Sequence, residues 1–232
     1  MRRTLLFALV LLVIGNATPS FAAEIVDRIL TIVNNTPVLL SEWDEAWRCE
    51  ALLADRAPES YTEAEQQEIY NRLVDQELIR QQMHGYLVSP VSDADVAIRL
   101  REAQTQLAGN DDAKWQAMLK RAGVTEAEAT YRLRQQMELE RFIDLRFRAG
   151  VHVEDRAVTR YYYDQLLPEI RRSGGKELPL NQAADKIREI ILQQRMSEQV
   201  VSWVQTLREQ ADITVPPEIS RDSEEIELTQ SK

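Results

Sequence analysis

Residues 25–40 read IVDRILTIVNNTPVLL. Two β-branched runs, Ile29–Val33 and residues 38–40, flank Asn34-Asn35-Thr36-Pro37. Adjacent asparagines tolerate positive φ, so this pattern predicts a β-hairpin. A two-stranded hairpin is marginal alone and must dock on something else. After it the apolar positions change to helical spacing. Ser41-Glu42-Trp43-Asp44 has capping-box spacing and predicts a helix to about Asp55. Thr62-Glu63-Ala64-Glu65 opens a second, ending at Gly85, and Ser92-Asp93-Ala94-Asp95 a third, ending at Gly109. Val91 and Val96 are placed to close a hydrophobic staple across that third start. Asp111 opens a short fourth helix ending near Gly123, and Thr125-Glu126-Ala127-Glu128 a long fifth ending at Gly150. A sixth starts at Glu154 or Asp155 and is expected to break at Pro168. Gly174-Gly175 mark a linker, after which a last helix is expected over residues 181–210.

Ile213-Thr214-Val215 then reads as a short strand, stopped by Pro216 and Pro217. So short a strand needs a partner, and the hairpin is the only other β material. The expected fold is therefore mainly α, with a small β-sheet formed by the N-terminal hairpin and the C-terminal strand. Residues 216–232 are polar and acidic and are expected to be a disordered tail.

The start of the chain reads as an address. Arg2 and Arg3 precede an apolar run over residues 5–14, and Ser20-Phe21-Ala22 supplies small residues at the two positions a signal peptidase reads. Ten apolar residues reach about 15 Å as a helix, half a bilayer core, so a signal peptide is expected rather than an anchor. Cleavage after about Ala22 implies export. No later segment approaches 18 consecutive apolar residues, so no stable membrane insertion is expected.

Composition narrows the classes. The chain has 38 acidic and 28 basic residues, a net charge of −10, one cysteine and two histidines. One cysteine excludes an internal disulfide, and Cys49, in a helical pattern, is expected to be buried. Nucleic acid is not an expected partner, because phosphate rewards clustered Lys and Arg. His84 and His152 have no Cys, Ser or Glu nearby at ligand or triad spacing. No Gly-rich phosphate loop, H-E-x-x-H, C-x-x-C or G-x-S-x-G is present. No catalytic residue, metal or cofactor is therefore expected.

Aromatic and methionine positions carry the rest of the signal. The fifth helix has one apolar stripe from Ala129, Leu133, Met137, Ile143 and Phe147, and a second from Tyr131, Phe142 and Leu145. Such a helix is either buried on both sides or packed on one and open on the other. Trp115, Met118 and Leu119 on the fourth helix pose the same choice. Trp43, Trp47 and Trp203 read as core. Of Tyr161-Tyr162-Tyr163, about 100° apart on a helix, one is expected to be buried and one exposed. Under the open reading, a groove would be lined by Trp115, Met118, Leu119, Tyr131, Met137, Phe142 and Tyr162.

Several segments resemble a family. Ile25 to Asp44, IVDRILTIVNNTPVLLSEWD, is similar to the start of the SurA N-terminal domain. The resemblance continues through Leu73-Val74-Asp75-Gln76-Glu77-Leu78-Ile79, Ala122-Gly123-Val124-Thr125-Glu126 and the junction from Val153-Glu154-Asp155 to Tyr161-Tyr162. It resumes at Trp203-Val204-Gln205-Thr206-Leu207-Arg208 and Ala211-Asp212-Ile213-Thr214-Val215. SurA-like and PpiD-like proteins usually insert parvulin isomerase domains after the Tyr-Tyr junction. Here only about a dozen residues stand there, against roughly ninety for a parvulin, and the parvulin histidine motif is absent.

The resemblance thus implies a signal over 1–22, a helical chaperone N-domain over 23–167, and a linker over 168–180 where a parvulin would be inserted. A C-terminal helix and strand over 181–215 then complete the core. The function it implies is an ATP-independent periplasmic chaperone, not an enzyme, for unfolded outer-membrane or secreted polypeptides. Two alternatives stand beside it: a dedicated envelope-assembly partner of one protein ligand, and a peptidyl-prolyl isomerase. The long terminal helix and small sheet are also compatible with a homodimer made by helix or strand exchange.

Overall fold

The computed structural model describes residues 27–216. The expected signal segment, and the acidic tail beyond Pro216, lie outside those residues. Strands β1 (Ile29–Val33) and β2 (Thr36–Leu39) form the hairpin, with Val33 opposite Thr36 and Thr31 opposite Val38. Asn34 takes φ 55°, the left-handed geometry that a two-residue turn demands. The turn is thus Asn34-Asn35 alone, and Thr36 and Pro37 belong to the strand. Pro37 is tolerated because β2 is an edge strand.

Strand β3 (Ile213–Thr214) pairs antiparallel with the other side of β1, giving the order β2-β1-β3. The two ends of the fold meet as the lone strand required. Asn34 stitches the join. Its N–H donates to the Asp212 carbonyl at 2.6 Å, its Oδ1 accepts from the Asp212 N–H at 3.0 Å, and its Nδ2 donates to Gln81 at 2.6 Å. Thr31 is fully buried, and its hydroxyl donates to the Thr214 carbonyl at 3.0 Å.

Around this sheet the chain is helical: α1 (Leu40–Leu53), α2 (Glu63–Met83), α3 (Asp93–Ala108), α4 (Asp112–Ala122), α5 (Glu126–Phe147), α6 (Asp155–Tyr161), α7 (Leu167–Ser173) and α8 (Leu180–Gln210). The starts follow the local capping chemistry. Thr62 and Glu65 close a reciprocal box on α2, as do Thr125 and Glu128 on α5, while Ser92 and Asp111 cap α3 and α4. Val91 and Val96 are both buried, as a staple requires. Ser41 is not the cap of α1. It lies one residue inside the helix, and Asp27 accepts hydrogen bonds from its N–H and its hydroxyl.

Pro168 does not break the chain as expected. One wide turn, Tyr162–Leu166, joins α6 to α7, with the Leu167 N–H bonding the Tyr162 carbonyl five residues back. That π turn makes room for the proline ring, which would strike the carbonyl four residues earlier in a regular helix. Helix therefore runs on to Ser173, and the linker expected over 168–180 shrinks to residues 174–179. The fifth helix likewise ends at Phe147 and passes into a 3-10 turn, Arg148–Gly150, rather than stopping on a left-handed Gly150.

The core is divided among several packed groups. Cys49 and Leu52 of α1 meet Trp115, Met118, Leu119 and Ala122 of α4. The sheet packs through Val33 and Val38 on Val74 and Leu78 of α2. Helix α8, 31 residues and about 46 Å long, is the spine. Its first half, through Ala183, Ile187 and Ile191, holds Val158, Tyr162 and Leu167 of the α6–α7 unit. Trp203 and Val204 reach α5, and Leu207 reaches the sheet. Arg208 clamps that end to α2, bonding Asp75 at 2.5 Å and the Asn71 carbonyl at 2.6 Å. None of the described helices is long and apolar enough to cross a membrane.

Candidate functional site

The seven residues expected to line a groove do not come together. Trp115, Met118 and Leu119 are buried, because α4 spends its one apolar face on α1 and α3. Trp115 also donates to Glu126 at 3.2 Å. Phe142 is 0% exposed: the segment after α2 folds back over α5 and sets Tyr86 edge-on to its ring at 5.1 Å, with Trp203 on another side. Tyr162 is buried beneath α8, and its hydroxyl donates to the Leu178 carbonyl at 2.7 Å. These five are core and are withdrawn as groove residues. Tyr131 is 57% exposed, but it stands six residues, about 9 Å, before Met137 on α5. Met137 alone of the seven lines the cleft between α3, α5 and α8.

That cleft, about 730 Å³ and open to solvent, lies where α3, α5 and the middle of α8 meet the segment between α2 and α3. Met137, Glu140, Arg141, Asp144 and Leu145 line it from one face of α5, at positions i, i+3, i+4, i+7 and i+8. Ile143 adds to the same wall, Arg99 faces it from α3, and Gln193 and Met196 from α8. Leu87, Val88 and Ser89 complete the rim. Leu87 is 100% exposed and Leu145 53% exposed. The α8 surface beyond Gln193, with Ile190, Gln194 and Ser197, continues the cleft as a shallow ledge.

The rim segment is held in place rather than loose. Arg134 donates to the Val91 carbonyl at 2.8 Å and Arg141 to the Pro90 carbonyl at 2.8 Å, while each also pairs with a carboxylate of α3, Asp93 and Asp95. Hydrogen bonds from Ser92 and Arg141 keep the Asp95 carboxyl below its ordinary range. Arg146 donates to the Tyr86 hydroxyl at 2.5 Å and lies 4.7 Å from the Trp203 ring centre. Within this brace the Val88 N–H bonds the Tyr86 carbonyl at 3.0 Å, a three-residue turn with Leu87 at its apex. This braced turn presents the Leu87 side chain to solvent at the rim of the cleft. The sequence reading missed it because a single apolar residue in a loop has no period. The run Tyr86-Leu87-Val88, between a helix-ending glycine and the next cap, was the available signal.

A second pocket, about 400 Å³, is lined by Leu30, Trp43, Gln66, Tyr70 and Val215 beside the sheet. Trp43 also meets Trp47, ring centres 5.2 Å apart and planes tilted by 38°, and both are half-buried rather than fully core. Between α1 and α5, burial raises the Glu45 carboxyl, pushes the Cys49 thiol up to about 11 and lowers the Arg132 guanidinium. Arg132 is held there by Gln76 at 3.2 Å. A thiol so raised is a poor nucleophile. Among the described residues no group of three His, Cys, Asp or Glu side chains is placed to hold a metal ion. Neither a protein-family model nor a curated protein matches the chain.

Proposed function

We propose that this protein is an exported, periplasmic holding chaperone, SurA-like in its core and without an isomerase domain, that binds unfolded outer-membrane or secreted polypeptides without ATP. The observation that carries the reading is the open cleft floored by Met137, Ile143, Leu145 and Met196 and overhung by the exposed Leu87. Methionine side chains adapt to differently shaped guests. The side-chain amides of Gln193 and Gln194 offer both a donor and an acceptor, which suits an extended backbone of any sequence. Binding would draw on burial of client side chains, at roughly 25 cal/mol per Å² of apolar surface. The contact is shallow and open, so release needs no energy source. The net charge of −10 would keep a loaded complex in solution.

The test is suppression of aggregation of several unrelated unfolded proteins, in the absence of ATP. Wild type should suppress all of them, and Leu87→Ser with Leu145→Ser should weaken that several-fold. Failure on all clients, together with tight binding to one envelope protein, would replace this reading with that of a dedicated assembly partner. Clear turnover of a proline peptide would replace it with an isomerase.

A further inference from the structure

The charges around the cleft are not all neutralised. Arg141 is engaged by Asp95 and by backbone carbonyls, Asp144 pairs with Arg148 at 3.0 Å, and Arg99 faces Glu102 at 3.8 Å. Arg148 also pairs with Glu189 on the ledge at 2.8 Å, and Lys186 adds to the field on that carboxylate. Among the described residues, two lining carboxylates have no cationic partner. Glu140, exposed in the cleft wall, meets only the Gln136 amide at 2.9 Å. Glu198, exposed on the ledge, has no hydrogen bond or ion pair among the described residues. The apolar lining is therefore accompanied by one uncompensated carboxylate in the cleft and another on the ledge, on a chain that is strongly acidic as a whole.

From this complementarity we infer that the occupant is an extended polypeptide segment whose apolar centre is flanked by lysine or arginine. The apolar centre covers Leu87 and Leu145, and the flanking cations face Glu140 and Glu198. An acidic flank would meet two carboxylates and the general negative field, so the surface selects among unfolded segments by the charge beside the apolar run. The inference rests on the holding function proposed above and adds its selectivity.

The experiment uses the mature chain and three fluorescent peptides sharing one six-residue apolar centre, flanked by Lys-Lys, Gln-Gln or Glu-Glu. Fluorescence anisotropy is read at 50 and 500 mM salt. The Lys-flanked peptide should bind about tenfold tighter than the Glu-flanked one at low salt, with the gap closing at high salt. The double variant Glu140→Gln, Glu198→Gln, both at exposed positions, should shrink that gap to about twofold, chiefly by weakening the Lys-flanked peptide. Equal binding of the Lys- and Glu-flanked peptides, or a gap that survives the double variant, would overturn the inference while binding of the Gln-flanked peptide keeps the holding function. No binding of any peptide would overturn both.

Discussion

Phe142 decides whether the second apolar stripe of α5 is a groove or core. Its side chain is fully buried, with Tyr86 edge-on at 5.1 Å and Trp203 at 6.2 Å. Phe142→Ala removes that ring and leaves a cavity under the braced 85–91 segment, at a cost of about 3–5 kcal/mol. About 0.5–1.5 kcal/mol of this is the edge-on aromatic pair. For a chain of this size each kcal/mol lowers Tm by about 2–4 °C, so a fall of about 6–20 °C is expected. Tyr131→Ala is the control: the same stripe, but an exposed ring, and a cost of about 0.5 kcal/mol or less. The assay is urea unfolding followed by far-ultraviolet circular dichroism and by tryptophan fluorescence, to which Trp203 contributes together with Trp43, Trp47 and Trp115. A Phe142→Ala protein within about 1 kcal/mol of wild type would refute the packing described for the segment over α5. Equal costs at Phe142 and Tyr131 would refute it as well.

Other consequences are independent of that one. Gly123 ends α4 at φ +68°, and a Cβ there would lie 2.5 Å from the Arg48 side chain, so Gly123→Ala should cost about 1–2 kcal/mol in a urea melt. Cys49 should resist a thiol reagent at pH 8 in the folded protein and react fully once unfolded, because it is buried and its pKa is pushed up to about 11. The Glu65 carboxylate is held down to about 2, first by its hydrogen bond with Arg56 and then by those with Thr62. Its folded pKa lies below the unfolded value of about 4.3, so its stabilising effect is complete above that value and is lost as pH falls toward 2. The stability difference between wild type and Glu65→Gln should therefore be largest near pH 6 and shrink by pH 2.5.

Much of this architecture could be read from local chemistry. Helix starts were legible at Thr62, Ser92, Asp111 and Thr125, because a cap is a contact between residues three apart. The sheet was legible because a strand at Ile213 has a backbone to satisfy and only one place to do so. The failures share a different cause. Pro168 was read by its own rule, which a neighbouring wide turn overrides. Phe142 and Trp115 were open to two readings because a helix with apolar residues on two sides does not say what covers each. What covers Phe142 is an irregular segment between two helices, and its position depends on arginines 134, 141 and 146 reaching across from α5. Such long-range ties leave no period in the sequence, and the cleft they build was invisible for that reason.

Under the proposed holding function, unfolded polypeptide lies in the cleft beside Leu87 and Leu145. A photo-crosslinking amino acid placed at Leu145, and separately at Tyr131, in the presence of an unfolded outer-membrane protein tests it directly. Both positions are more than half exposed, so accessibility alone does not separate them. Strong crosslinks to the client are expected from position 145 and few from 131. Crosslinks equal at the two positions, or absent from 145, would contradict it.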